Sequence, residues 1–166
     1  MKRLTPIAMV AVISLQAFAL STAVQAQQNI TFNADKEFLV HKSPTCGCCT
    51  GWVDHMTSHG AHTKVQHSDN LADLKADLGI PANARSCHTA ITESGYVFEG
   101  HIPAKFIQQF LSNPIPDTKG LVVPGMPVGS PGMEYNDQFM PYAVYLLKSD
   151  GSLEVFAKVN SLADQT

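Results

Sequence analysis

The spacing of apolar positions changes repeatedly along this chain, and each change marks a new element. Phe38, Leu39 and Val40, set between Glu37 and His41, make a short strand, which Pro44 closes after Lys42 and Ser43. From Cys48 to His59 the residues Trp52, Val53 and Met56 recur at helical spacing, with Gly60 where a C-cap falls. His62 to His67 reads as a polar strand. Ser68 and Asp69 are candidate N-caps for a second helix, on which Leu71, Leu74 and Leu78 mark one face and which Gly79 and Pro81 end. Cys87 to Thr92 is the next strand, joined through Glu93-Ser94-Gly95 to a hairpin partner from Tyr96 to Gly100. Pro103 opens a third helix running to Leu111, with Phe106, Ile107, Phe110 and Leu111 as its buried face.

After Asn113 the pattern gives way to a stretch rich in Gly and Pro, from Pro114 to Glu134, expected to be loop. Tyr142 to Leu147 and Leu153 to Lys158 then flank Ser149-Asp150-Gly151 as a last β-hairpin. The resulting order, β-α-β-α-β-β-α followed by a loop and a hairpin, matches a thioredoxin-like core. The fold class expected is therefore α/β, with a Gly/Pro/Met loop and an extra C-terminal β-hairpin appended. No repeat of solenoid period is present.

The N-terminus follows a different logic. Lys2 and Arg3 precede an apolar run from about Ile7 to Leu20, and small residues lead to Val24-Gln25-Ala26, the pattern of a secretory signal peptide cleaved near Ala26. The run is too short for a membrane span, which needs roughly 20 apolar residues. Residues 1–26 are thus set aside, and 27–166 is expected to be one exported domain with no membrane span after cleavage. Without Lys2 and Arg3 the 11 basic residues fall to 9 against 14 acidic ones, a formal charge of −5. With no cluster of Lys or Arg, nucleic acid is excluded as an expected partner.

Four cysteines in an exported chain would ordinarily form two structural disulfides. Their spacing argues otherwise. Cys46, Cys48 and Cys49 crowd into four positions, and at most one of them can pair with Cys87. The cluster falls at the start of the first predicted helix, where unpaired N–H groups and the helix dipole favour thiolate over thiol. A disulfide exchanger needs only the Cys46/Cys49 pair, one attacking thiolate and one resolving thiol, so Cys48 requires another explanation. Soft thiolates select Cu(I), zinc or iron–sulfur centres, and crowded ones can bridge several metal ions. In a thioredoxin-like fold the start of the third strand lies beside the first helix N-terminus, which makes Cys87 the fourth candidate ligand; the alternative is an inert buried thiol. A thiol–disulfide oxidoreductase using Cys46 and Cys49 remains a second reading. A structural zinc module is a third, disfavoured because its ligands are usually spaced as two separated pairs. A thiolate-rich helix end is also prone to oxidation, with a Cys46–Cys49 disulfide taking the place of metal.

Further soft or borderline donors surround this core. The Gly/Pro loop carries Met126 and Met133, followed by Met140, as thioethers in surroundings where a core methionine is out of place. They either ligate copper or cover the domain surface. His88 adjoins Cys87, and His101 ends the following strand, so both are candidate ligands. His55 and His59, four apart, would share a helix face that either binds a metal or is simply solvated.

Taken together, Lys42-Ser43-Pro44-Thr45-Cys46-Gly47-Cys48-Cys49 with Trp52, then Ser86-Cys87-His88-Thr89, then Glu99-Gly100-His101-Ile102-Pro103-Ala104, and finally Gly120 to Pro127 and Gly129 to Glu134 resemble the CopG-type family of exported copper-resistance proteins. The resemblance implies a thioredoxin-like fold and copper handling in the periplasm, with several Cu(I) ions bridged by Cys46, Cys48, Cys49 and Cys87. It implies Met126, Met133, His88 and His101 as additional metal ligands, copper ions and other periplasmic copper-handling proteins as partners, and Cu(I)/Cu(II) interconversion as an activity. His41 departs from the expected pattern, where a less polar or aromatic residue would stand; it is either an added ligand or a neutral change.

Overall fold

The computed structural model describes Phe32 and residues 37–166; the expected signal peptide lies outside these residues. The chain runs β1 (Glu37–Lys42), α1 (Gly47–Ser58), β2 (His62–His67), α2 (Leu71–Asp77), β3 (His88–Thr92), β4 (Val97–Glu99), α3 (Ala104–Ser112), β5 (Thr118–Val122), β6 (Tyr142–Lys148) and β7 (Leu153–Val159). Short 3₁₀ turns occupy Ala82–Ala84 and Leu162–Gln165. All seven strands among the described residues join one sheet in the order β2-β1-β3-β4-β5-β6-β7. β1 pairs parallel with β2 and antiparallel with β3, and β3 pairs antiparallel with β4. The architecture is mixed α/β, and its first seven elements follow the order expected from the sequence.

Two expectations are corrected. The stretch from Pro114 to Glu134 is not all loop, because Thr118–Val122 forms β5, parallel to β4 and antiparallel to β6. Leu121, Val122 and Val123 are fully buried there, so a β-branched apolar run prevails over its Gly and Pro neighbours. This strand carries the last hairpin into the main sheet. The second correction concerns α2, whose N-cap is Asn70, with its side chain accepting from Asp73 N–H, rather than Ser68 or Asp69.

Side chains of successive strand residues point to opposite faces, and each face has its own core. On one face Phe38, Val40, Phe98, Leu121 and Val144 pack with Trp52 and Met56 of α1 and with Phe106, Ile107 and Phe110 of α3. On the other, Val97, Val122 and Leu147 pack with Ile80 and Ala84, just beyond α2. The expected leucine face of α2 is only half-buried; its fully covered member is Lys75. The turn at Leu162–Gln165 fastens the loop after β5. Gln165 donates through Nε2 to Gly129 O at 2.8 Å and accepts from the Tyr142 hydroxyl at 3.2 Å. Lys105 of α3 donates to the Asp164 and Thr166 carbonyls at 3.2 and 2.8 Å.

Candidate metal centre

Cys46 is the N-cap of α1, and Gly47, Cys48 and Cys49 form its first turn, which carries no acidic residue. Pro44 ends the preceding extended segment, while Trp52, three residues beyond Cys49, buries its ring and donates through Nε1 to Ile102 O at 2.8 Å. That bond fixes the helix against the segment that follows β4. Cys87 comes from the other direction, immediately before β3.

These two segments bring all four sulfurs together. Cys46 and Cys49 are joined as a disulfide, and Cys48 and Cys87 are free. Cys46 Sγ lies 3.4 Å from Cys48 Sγ, and Cys87 Sγ lies 3.8 Å from Cys48 Sγ and 3.3 Å from Cys49 Sγ. The four sulfurs all fall within 4.8 Å of one another. The disulfide is the pairing expected for an oxidised site.

Two histidines complete the Cys87 side. His101 Nδ1 lies 2.8 Å from the Pro131 carbonyl, and a carbonyl only accepts, so Nδ1 carries the hydrogen. The lone pair of Nε2 therefore faces Cys87 Sγ, 2.9 Å away. His88 Nδ1 lies 3.4 Å from the same sulfur, and its ring packs between Trp52 and His101, with centroids 4.5 and 4.9 Å away. His88 Nε2 is buried with no hydrogen-bond partner among the described residues. Four sulfurs and two imidazoles in one place form a donor set suited to a soft metal ion.

Burial governs protonation here. It pushes the Cys87 thiol up to about 12, with the neighbouring Cys48 adding to the shift and Lys75 opposing it. Burial holds His88 well below its ordinary value, assisted by His101 and Lys75, and also lowers His101. At neutral pH the pair is therefore thiol and neutral imidazole, and a metal ion taken up at Cys87 must displace the thiol proton.

The loop after β5 touches the site along its backbone. Gly132 packs so closely on α1 that a side chain there would overlap Cys48 O and Trp52 N, and its φ of +82° favours glycine as well. Ser86 Oγ donates to the Gly125 carbonyl. Met126, next in the chain, is 53% exposed, whereas Met133 is half-buried. The structure thus gathers Cys46, Cys48, Cys49, Cys87, His88 and His101, and brings the peptides preceding Met126 and Met133 to the Ser86 and α1 sides of the site.

Other histidines stand apart. His41 is bonded to Ser68 Oγ at 3.1 Å and belongs to neither cluster of metal-type donors among the described residues. His55 accepts the Ala104 N–H through Nε2 at 3.1 Å, capping α3 with the lone pair a metal would need. The His55/His59 face is accordingly a packing contact, with rings 4.3 Å apart, rather than a solvated face or a two-nitrogen site. Sequence reasoning also passed over Lys75, Glu99 and the Pro131 carbonyl. Lys75 left a signal, a charge among Leu71, Leu74 and Leu78 on one helix face; the carbonyl left none.

The fold and donors define a mixed α/β protein with a cysteine-rich cluster that could hold a soft metal ion. Comparison with known proteins narrows the class. A family described as "Protein of unknown function, DUF411" matches residues 84–133. No curated protein sequence matches the chain. Two solved structures, "Copper resistance protein copG" in Form 1 and Form 2, are each 36% identical to it, with TM-scores of 0.69 and 0.70. Form 1 is matched over 74% of this chain and 96% of that one, and Form 2 over 75% and 98%. The chain belongs to the CopG copper-resistance family.

Proposed function

We propose that this protein binds copper as Cu(I) in a copper-resistance role, through Cys46, Cys48, Cys49 and Cys87 in their reduced form. The observation that carries the reading is the convergence of four sulfurs within 4.8 Å, one of them brought by β3 to three on α1. Thiolates this close can each face more than one soft ion, which favours a bridged, multinuclear arrangement over a single ion. His101, its tautomer held by Pro131, presents Nε2 as a further donor, and His88 lies beside the same sulfur. Met126 and Met133 are proposed as thioether donors from the loop. Export to the periplasm after removal of residues 1–26, a single domain over 27–166, a thioredoxin-like core and exchange of copper with other periplasmic proteins complete this reading. The order β2-β1-β3-β4 and the cysteines at the start of α1 support the thioredoxin-like part. Interconversion of Cu(I) and Cu(II) is its enzymatic extension, with an outside acceptor needed to take the electron.

The deciding experiment is anaerobic Cu(I) reconstitution of the reduced protein against excess zinc, with metal analysis per chain. Two or more copper ions per chain, lost in Cys48→Ser, are expected. Zinc displacing copper, or Cys48→Ser binding as the parent does, overturns the reading. One observation favours a second function, thiol–disulfide exchange, because Cys46 and Cys49 are already joined. In that case Cys48→Ser retains disulfide reductase activity and copper has no effect on it.

A further inference from the structure

Lys75 of α2 and Glu99 of β4 form an ion pair whose side chains are only 4% and 0% exposed. Removing two charges from water is costly, and apolar residues of the same shape often serve stability as well or better. The pair's other partners point to a different purpose. Glu99 Oε1 accepts the Ser86 N–H at 2.6 Å, while Lys75 Nζ donates to the Ser86 carbonyl at 2.8 Å. Glu99 Oε2 is itself held by the Thr89 hydroxyl at 2.6 Å. Opposite charges thus grip both backbone polar groups of Ser86, and its carbonyl belongs to the peptide plane that leads into Cys87.

Two further contacts close around the same residue. Gly100, with φ +82°, lies so near that a Cβ there would stand 2.6 Å from Ser86 Cβ. Ser86 Oγ donates to the Gly125 carbonyl, and Gly125 N–H donates to Arg85 O at 3.2 Å, so the clamp extends to the peptide before Met126.

We propose that the buried Lys75–Glu99 pair is a positioning device for metal binding, fixing the Ser86–Cys87 peptide so that Cys87 Sγ faces the thiols of α1. The inference rests on the copper-binding reading above. Groups that orient a ligand without touching the metal commonly change metal affinity roughly 10- to 100-fold when removed.

The test compares the reduced parent protein with Lys75→Met/Glu99→Leu, which removes both charges, and Lys75→Met/Glu99→Gln, which restores an acceptor for Ser86 N–H. Each is made with and without Cys87→Ser. Cu(I) affinity is read by competition with a chromophoric chelator, and folding by thermal melting without copper. Expected is a retained melting transition, a loss of affinity of roughly 10- to 100-fold in the Met/Leu variant, partial recovery in the Met/Gln variant, and no added loss once Cys87 is serine. Unchanged affinity in the folded Met/Leu variant overturns the inference, as does a loss fully additive with Cys87→Ser. If neither variant melts cooperatively, the pair serves the fold and the inference also fails. Parent-like copper binding in Cys87→Ser alone would instead refute the role of Cys87 in the copper site, whatever the pair does.

Discussion

On the α1 side of the site, three cysteines stand on a helix turn whose N-cap side chain does not cap the helix backbone and whose Gly47 is exposed. On the β3 side, one cysteine is flanked by two buried histidines and follows a serine held by a buried ion pair. The first wall holds the disulfide, with Cys46 and Cys48 partly exposed and Cys49 buried, whereas the second is neutral at its thiol and backed by buried histidines and a buried ion pair. Donor geometry here is set from one side. The fixed wall dictates where the fourth sulfur stands, and the open wall supplies the thiols that change state.

The two walls are joined most firmly at Trp52, which belongs to α1 yet packs on His88 and bonds Ile102. Trp52→Ala is expected to cost about 3–5 kcal/mol of stability, as large buried aromatics do, and to let the two walls part. Urea unfolding measures it, and a loss under 1 kcal/mol, on the order of a surface substitution, would separate the helix from the packed wall.

Acid offers a milder way to loosen the helix. His55 must stay neutral to accept the Ala104 N–H, and burial with the nearby His59 lowers it from 6.5 to about 4. The unfolded chain then binds the proton more readily between these values, so stability falls as pH drops from 6.5 towards 4 and does not respond to His55 above 6.5. The expected loss is roughly 2 kcal/mol after allowance for partial exposure. His55→Gln, an acceptor that does not titrate, should flatten this part of a melting-temperature profile, and an unaltered slope would remove His55 as its cause.

The smallest effect is read in rates rather than stability. With the Cys46–Cys49 disulfide in place, iodoacetamide at pH 8 is expected to label Cys48 before Cys87, since burial keeps the Cys87 thiol protonated until near pH 12. Mass spectrometry of the time course decides it; equal labelling would show that the β3 wall is as open as the other.

Much of this arrangement was legible in the residues. Helical spacing around Trp52 and Met56, the turn at Glu93-Ser94-Gly95 and the hairpin at Ser149-Asp150-Gly151 are local signals, and their elements appear within a residue or two of where they were expected. The meeting of Cys87 with Cys48 and Cys49 was readable only through the fold order, because nothing local to Cys87 points to α1. β5 was missed because Leu121 to Val123 is a short run enclosed by Gly and Pro, and its parallel pairing with β4 is a long-range event. The role of His55 was hidden for the same reason, since its partner Ala104 lies on a different helix. Lys75 was marked only by its place among Leu71, Leu74 and Leu78, and its pairing with Glu99, 24 residues on, is another long-range contact.

The tie between Gln165 and Gly129 has a consequence for the order of assembly. A chain made from its N-terminus can pair β1 with β2, and set Cys46 to Cys49 on their helix, long before Gln165 exists. The loop that passes over α1 at Gly132 can be held early by Ser86, Arg85 and His101, but its tie at Gly129 waits for Gln165, and closing a contact between residues far apart in sequence is slow compared with local folding. The last tie in the chain thus locks a loop already laid over the thiol turn, and truncation before Gln165 is expected to loosen Gly129 while leaving the donor residues in place.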